Sequence, residues 1–240
     1  MPLEEPRVKT YVTGLDERLG GGIPRGHVVL LSGPPGSMKS SLAYSILHQN
    51  AVRYGTPGLY VSLEQSRVSL LRQMRAMGFP DPVASSWGIV DAATIGKETG
   101  ETARSAWMDL FWRVLRTRRR LQPYELLVLD SLDALGLLAR YPNAREETLG
   151  LFESLRQDNV TSIVIAESME NGGGAPWVRE RFGASFLADG FISLRMHDRT
   201  DVSLQRRMRV VKMRGTAHET KFFALDFDNG GFGISESLGV

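Results

Sequence analysis

Gly33-Pro34-Pro35-Gly36-Ser37-Met38-Lys39-Ser40-Ser41 brings glycines, a lysine and adjacent hydroxyls together in an order suited to holding a phosphate chain. Glycines let a loop curl until several backbone N–H groups converge on one anion. A helix that starts directly after the loop adds the positive end of its dipole. In that frame Lys39 reaches the β- and γ-phosphates of a nucleotide, and the Ser40 hydroxyl ligates Mg²⁺. The spacing follows G-x-x-x-x-G-K-[ST] except at Met38, which stands where the second glycine is expected. A Met forced into the left-handed region costs about 1 kcal/mol; in the first turn of a helix it costs little. The substitution bears more on turnover than on binding.

Phosphate chemistry also needs acids, and these should sit beyond the carboxyl ends of strands, where ligands of open α/β sheets bind. Asp130 closes the run Leu126-Leu127-Val128-Leu129 and precedes Ser131, the Walker B arrangement. It would hold Mg²⁺, directly or through water, and orient Ser40. Glu64 follows Leu59 to Leu63, where a carboxylate can orient and deprotonate an attacking water. Glu167, after Thr161 to Ala166, is a third strand-end acid placed to sense a γ-phosphate, and no role is assigned to it.

The elements that must carry these groups alternate along the chain. HVVLLSG, GLYVSLE, LLVLD and TSIVIAES have strand length and composition. Between them, SSLAYSILHQNAVRYG, SRVSLLRQMRAMGF and EETLGLFESLRQDN read as helices, as does the stripe Trp107, Leu110, Phe111, Val114, Leu115 at helical spacing. From Gly190 the character changes. FISLRM, RMRVVKM and KFFALDF read as antiparallel strands, with a turn at Asn229-Gly230-Gly231. The expectation is an α/β fold: a mostly parallel central sheet, helices on both faces and antiparallel strands at the C-terminal edge. One domain is expected over residues 1–240, with its core from about 13 to 234. The segment Asn171 to Pro176, with three consecutive glycines, is the candidate mobile loop.

Composition excludes several classes. The chain has no Cys, so disulfides and thiolate metal sites are out, in keeping with a cytoplasmic protein. His48 and His197 lack partners at metal-ligand spacing. The N-terminus has no apolar signal region and no run is long enough to span a membrane. The net charge of +2 does not by itself argue for nucleic acid.

Taken together, these residues resemble a known family. TGLDERLGGGIPRGHVVLLSGPPGSMKSS is similar to the opening of KaiC and related RecA-superfamily ATPases. LYVSLEQSRVSLLRQMRAMGF looks like the family's strand and helix with paired acids, and LLVLDSLDAL like its Walker B strand. More specific is Lys212-Met213-Arg214-Gly215-Thr216-Ala217-His218, similar to the K-x-R-G-T-x-H segment of KaiC-type domains. The resemblance runs from about Thr13 to Ile234. It implies a RecA-like P-loop NTPase that forms a hexameric ring with ATP and Mg²⁺ at the subunit interfaces. One subunit supplies the P-loop. Its neighbour supplies Lys212 and Arg214 as trans-acting cations, with Met213, Thr216 and His218 as further nucleotide contacts; Asp228 also approaches the nucleotide. Two positions depart from the pattern: Met38 in the loop, and Glu64-Gln65 where the family has two acids. Both bear on the rate of hydrolysis. A single domain does not inherit the autokinase activity of two-domain KaiC.

The leading expectation is a slowly hydrolysing, ring-forming ATPase that acts as a regulatory module on an unidentified protein partner. One alternative is a recombinase-like, DNA-dependent ATPase. Arg113, Arg116, Arg118, Arg119 and Arg120 crowd one helix end, and Arg206, Arg207 and Arg209 form a second basic cluster. A solvated helix end explains the first group more simply, and no helix-hairpin-helix or RNA-recognition signature accompanies them. Nucleic acid is therefore the weaker partner. The other alternative is a non-hydrolysing sensor that assembles on ATP.

Overall fold

The computed structural model describes residues 6–82, 86–97, 107–168, 183–200 and 203–236. The strands are β1 (Arg7–Val8), β2 (Ile23–Pro24), β3 (Val28–Gly33), β4 (Gly58–Ser62), β5 (Trp87–Asp91), β6 (Leu126–Asp130), β7 (Thr161–Glu167), β8 (Gly190–Thr200), β9 (Ser203–Met213), β10 (Phe223–Asp228) and β11 (Gly231–Glu236). The helices are α1 (Lys39–Tyr54), α2 (Arg67–Ala76), α3 (Ala92–Lys97), α4 (Trp107–Leu121), α5 (Leu132–Ala139), α6 (Ala144–Gln157) and α7 (Ala184–Leu187).

Nine strands form one sheet in the order β11-β10-β9-β8-β3-β7-β6-β4-β5. The strands from β5 across to β8 are parallel, and β9, β10 and β11 continue antiparallel. The expected fold class is therefore the observed one. β1 and β2 form a separate two-stranded sheet. The run VVLLSG of β3 is buried along its whole length, as a strand covered on both faces must be.

Alternation of side chains divides the core in two. Val29 and Leu31 of β3 join Val128 of β6 and Leu42 and Leu47 of α1 on one face. Val28 and Leu30 join Leu127 and Leu129, and the α4 residues Leu110, Phe111, Val114 and Leu115, on the other. The predicted α4 stripe is thus a core face. Side-chain oxygens start four helices: Ser66 accepts from Ser69 N–H, Asp91 from Thr94 N–H, Ser131 from Ala134 N–H and Asn143 from Glu146 N–H. Gly55 ends α1 in the left-handed conformation at φ 64°.

The elements that local sequence pattern leaves unread are β1, β2, β5, β11, α3, α5 and α7. The expected loop at Asn171 to Pro176 lies outside the described residues. No helix among the described residues is long and apolar enough to cross a membrane, and no group of His, Asp and Glu there could hold a metal ion by itself.

Candidate functional site

The loop after β3 is built as a phosphate cradle. Gly33 cannot carry a side chain, because a Cβ there would meet Ser37 Oγ at 2.7 Å and Leu194 Cβ at 2.9 Å. Gly36 turns the chain at φ 79° and Met38 follows at φ 70°, both left-handed. Met38 therefore occupies the conformation that favours glycine, and its side chain packs half-buried against the core. Lys39 opens α1. Its Nζ donates to Gly33 O at 2.7 Å and Pro34 O at 3.0 Å, so the ammonium lies across the loop. Burial lowers the Lys39 pKa, opposed by the charges of Glu167, Asp130 and Glu64. Ser37 Oγ donates to Pro34 O at 2.7 Å and stiffens the turn; Ser41 is buried and donates to Met77 Sδ at 3.2 Å.

Asp130 ends β6 and is 4% exposed. It accepts from Tyr60 Oη at 2.6 Å and from the Ser40 hydroxyl. Burial pushes its pKa up; the Tyr60 and Ser40 hydrogen bonds oppose this, and the Glu64 charge adds to it. The peptide between Asp130 and Ser131 is cis. Glu64 lies just past β4 and accepts a hydrogen bond from Ser131 Oγ. Gln65 turns aside: its Oε1 accepts from Ser69 Oγ at 3.4 Å on α2. Glu167, at the end of β7, presents its N–H to Asp133 Oδ2 at 2.8 Å.

These groups share one cleft of about 360 Å³, lined by the loop, Lys39, Ser40, Glu64, Asp130 and Glu167. The donors fit the expected cation, since a buried carboxylate beside a hydroxyl offers the hard oxygens that Mg²⁺ requires. Arg206 also lines the cleft, and its Nε donates to Gly36 O at 3.1 Å. By its sequence neighbours alone Arg206 belongs to a basic cluster with Arg207 and Arg209. Its side chain instead lies over the phosphate loop of its own chain. Nothing in an alternating basic strand says which of its residues reaches the sheet's carboxyl edge. Among the other arginines of the nucleic-acid alternative, Arg119 is paired with Asp158 at 2.8 Å.

The K-x-R-G-T-x-H segment is elsewhere. Met213 pairs with Gly190, and Gly190 with Val29, four residues before the loop begins at Gly33. That is about 13 Å along the strand, at the amino end of the sheet. Lys212 Nζ donates to Phe186 O at 3.1 Å and Ala188 O at 2.5 Å. Burial lowers its pKa, and the Arg214 charge adds to that. Arg214 Nη1 donates to Asp189 Oδ1 at 2.7 Å. The Met213 side chain is buried in the core, so only its backbone is offered to a ligand. Thr216 Oγ1 accepts from Arg7 Nη1 at 2.8 Å, and His218 Nδ1 lies 3.0 Å from Thr216 O. Asp228 ends β10 and accepts from Asn229 Nδ2 at 2.9 Å. Its turn lies toward Gly78, beyond the end of α2, whose Gln73 lines the cleft. One chain thus brings together the loop, Glu64 and Asp130, and holds Lys212 to His218 apart from them.

Comparisons with known proteins bear on the family and the fold. The family model described as "ATPase: KaiC" matches residues 8–238. A UPF0273 protein of Pyrococcus horikoshii is 34% identical over 236 residues, spanning 94% of this chain and 92% of the relative. The circadian clock oscillator protein KaiC of Picosynechococcus is 26% identical over 234 residues, covering 95% of this chain but 44% of that protein. The crystal structure of a KaiC-like protein from Pyrococcus horikoshii superposes with a TM-score of 0.79 at 29% identity, covering 96% of this chain and 99% of the other. With the phosphate loop, the strand-end acids and the separated basic segment in place, the chain belongs to the KaiC family of ATPases.

Proposed function

We propose that this protein binds ATP with Mg²⁺ at the interfaces of a homo-oligomeric, hexameric ring, hydrolyses it slowly, and acts as a regulatory module on a protein partner in the cytoplasm. The observation that carries this reading is the placement of two cationic groups at opposite ends of one sheet. Lys39 and Arg206 flank the loop at its carboxyl edge, and Lys212 and Arg214 lie at its amino edge. A single chain cannot close both around one triphosphate. Two copies head to tail can, and a repeated head-to-tail contact closes into a ring.

In that assembly the loop N–H groups and Lys39 bind the β- and γ-phosphates, and Arg206 lies over them from the same chain. Ser40 and Asp130 would hold Mg²⁺, which would neutralise developing phosphate charge. Glu64 accepts a proton from water as its oxygen bonds to the γ-phosphorus. The bond to the β–γ bridging oxygen breaks, and ADP leaves with that electron pair. Lys212 and Arg214 of the neighbour stabilise the charge on the transferred group, with Thr216, His218 and the Met213 backbone as further contacts. Asp228 approaches the nucleotide from the turn beyond α2.

Light scattering with and without ATP and Mg²⁺, paired with phosphate release, tests the proposal. The expected result is a nucleotide-dependent rise in mass with slow release. Lys39→Ala should lose both, because tight ATP binding is gone. Assembly without release would favour a second reading, an ATP sensor; the turning of Gln65 toward α2, away from any second-acid role, speaks for it. Release that requires added DNA would overturn the proposal.

A further inference from the structure

We infer that Asp189 is the positioning residue of the trans arginine: a buried carboxylate that fixes where Arg214 meets a neighbouring subunit's nucleotide. This rests on the interfacial site proposed above and assigns a role to a residue outside it.

Asp189 immediately precedes β8 and is 7% exposed. It grips Arg214 twice. Its Oδ1 accepts from Arg214 Nη1 at 2.7 Å, and its backbone O accepts from Arg214 N–H at 2.9 Å. It is itself fixed to the central strand, which leads into the phosphate loop. Its Oδ2 accepts from Val28 N–H at 3.0 Å, and its own N–H donates to Val28 O at 2.8 Å. Oδ2 also accepts from Arg156 Nε at 2.8 Å, from α6.

Charge and exposure separate the roles of the neighbouring cations. Lys212, the other trans cation, is anchored through carbonyls of Ser185, Phe186 and Ala188 and ties the α7 segment to β9. The Arg214 side chain is 54% exposed, while the Asp189 side chain under it is 9% exposed. Two guanidiniums on one carboxylate leave a surplus positive charge at this spot. A carboxylate needed only for stability would be satisfied by Arg156 and Val28. Its second oxygen is instead given to an exposed guanidinium, and a planar fork held by one nitrogen keeps its other donors for an arriving phosphate. Fixing the fork beforehand removes the disorder that a free side chain would lose on meeting the anion.

Mixed populations of full-length subunits, assayed for phosphate release, test this. Asp189→Asn keeps an oxygen for Val28 and removes the charge. Alone it should bind a fluorescent ATP analogue within about twofold of wild type and release phosphate at least tenfold more slowly. Mixed with Lys39→Ala it should recover activity, because Lys39→Ala supplies an intact Arg214 to its loop. Mixed with Arg214→Ala it should stay inactive, since both lack the same half of the site. Mixing Lys39→Ala with Arg214→Ala is the control. If that control recovers and Asp189→Asn with Lys39→Ala does not, or if Asp189→Asn complements Arg214→Ala, Asp189 is a structural residue and the inference fails. If the control stays dead while subunits demonstrably exchange, the interfacial reading falls and takes this inference with it. Should Asp189→Asn fold poorly, Arg156→Gln strips one partner from Oδ2, leaves Asp189 in place, and should fall in the same group with a smaller loss.

Discussion

Glu64 and Ser131 form the contact on which the proposed turnover rests, because the serine hydroxyl donates to the carboxylate and fixes its direction. Glu64→Gln keeps an oxygen acceptor for Ser131 and loses basicity. Phosphate release should fall at least about tenfold with ATP affinity unchanged. Equal rates in wild type and variant would make Glu64 a structural acid. Met38 gives a second prediction at this scale. It is left-handed at φ 70° and ψ 26°. A β-branched side chain tolerates that region worst. Met38→Val should be less stable than Met38→Gly by about 1–2 kcal/mol in denaturant unfolding, although glycine packs nothing against the core. Equal stabilities would show that the loop relaxes out of this conformation.

At the scale of elements, α1 carries a pH sensitivity unrelated to nucleotide. His48 is buried between Tyr44 and Trp87, with ring centroids 6.3 and 6.1 Å away. Its Nδ1 has no hydrogen-bond partner among the described residues, and burial lowers its pKa. The unfolded chain, titrating near about 6.5, takes up a proton that the folded chain resists. Stability is therefore unaffected at higher pH and falls as pH drops below that value toward the depressed folded one. His48→Phe should flatten the decline of Tm between about pH 7 and 5; an unchanged slope would assign the acid sensitivity elsewhere. The elements that were legible in the sequence are those with unmistakable periods: the buried run of β3, the Leu126 to Asp130 strand, the stripe of α4. They carry the loop, Glu64 and Asp130 to one cleft. β5 was missed because WGIVD is short and interrupted by Gly88, and α5 because LDALGLLA is too uniformly apolar to show a helical face. Arg206 and Asp189 were beyond reach for a different reason. Each owes its place to strand register, which pairs residues far apart in the chain, and local pattern carries none of that.

For the whole molecule, β9 is the member that reaches both edges of the sheet. Arg206 lies over its own loop, and Lys212 is six residues further on, about 20 Å away at the opposite edge. In a ring, each strand of this kind would serve two nucleotides, its own and the next. The consequence is one of dominance. A variant defective only at the loop silences one site per subunit, so activity should fall in proportion to the fraction of defective subunits. A variant defective at both sites, Arg206→Ala on β9 with Arg214→Ala just past its end, silences the site it owns and the one it lends. With random mixing, an interface works only when both its subunits are intact, so equal parts of wild type and double variant should retain about a quarter of the activity rather than half. Titrating each variant into wild type at constant total concentration distinguishes a straight line from a square law. A straight line for the double variant would mean that no subunit lends anything to its neighbour.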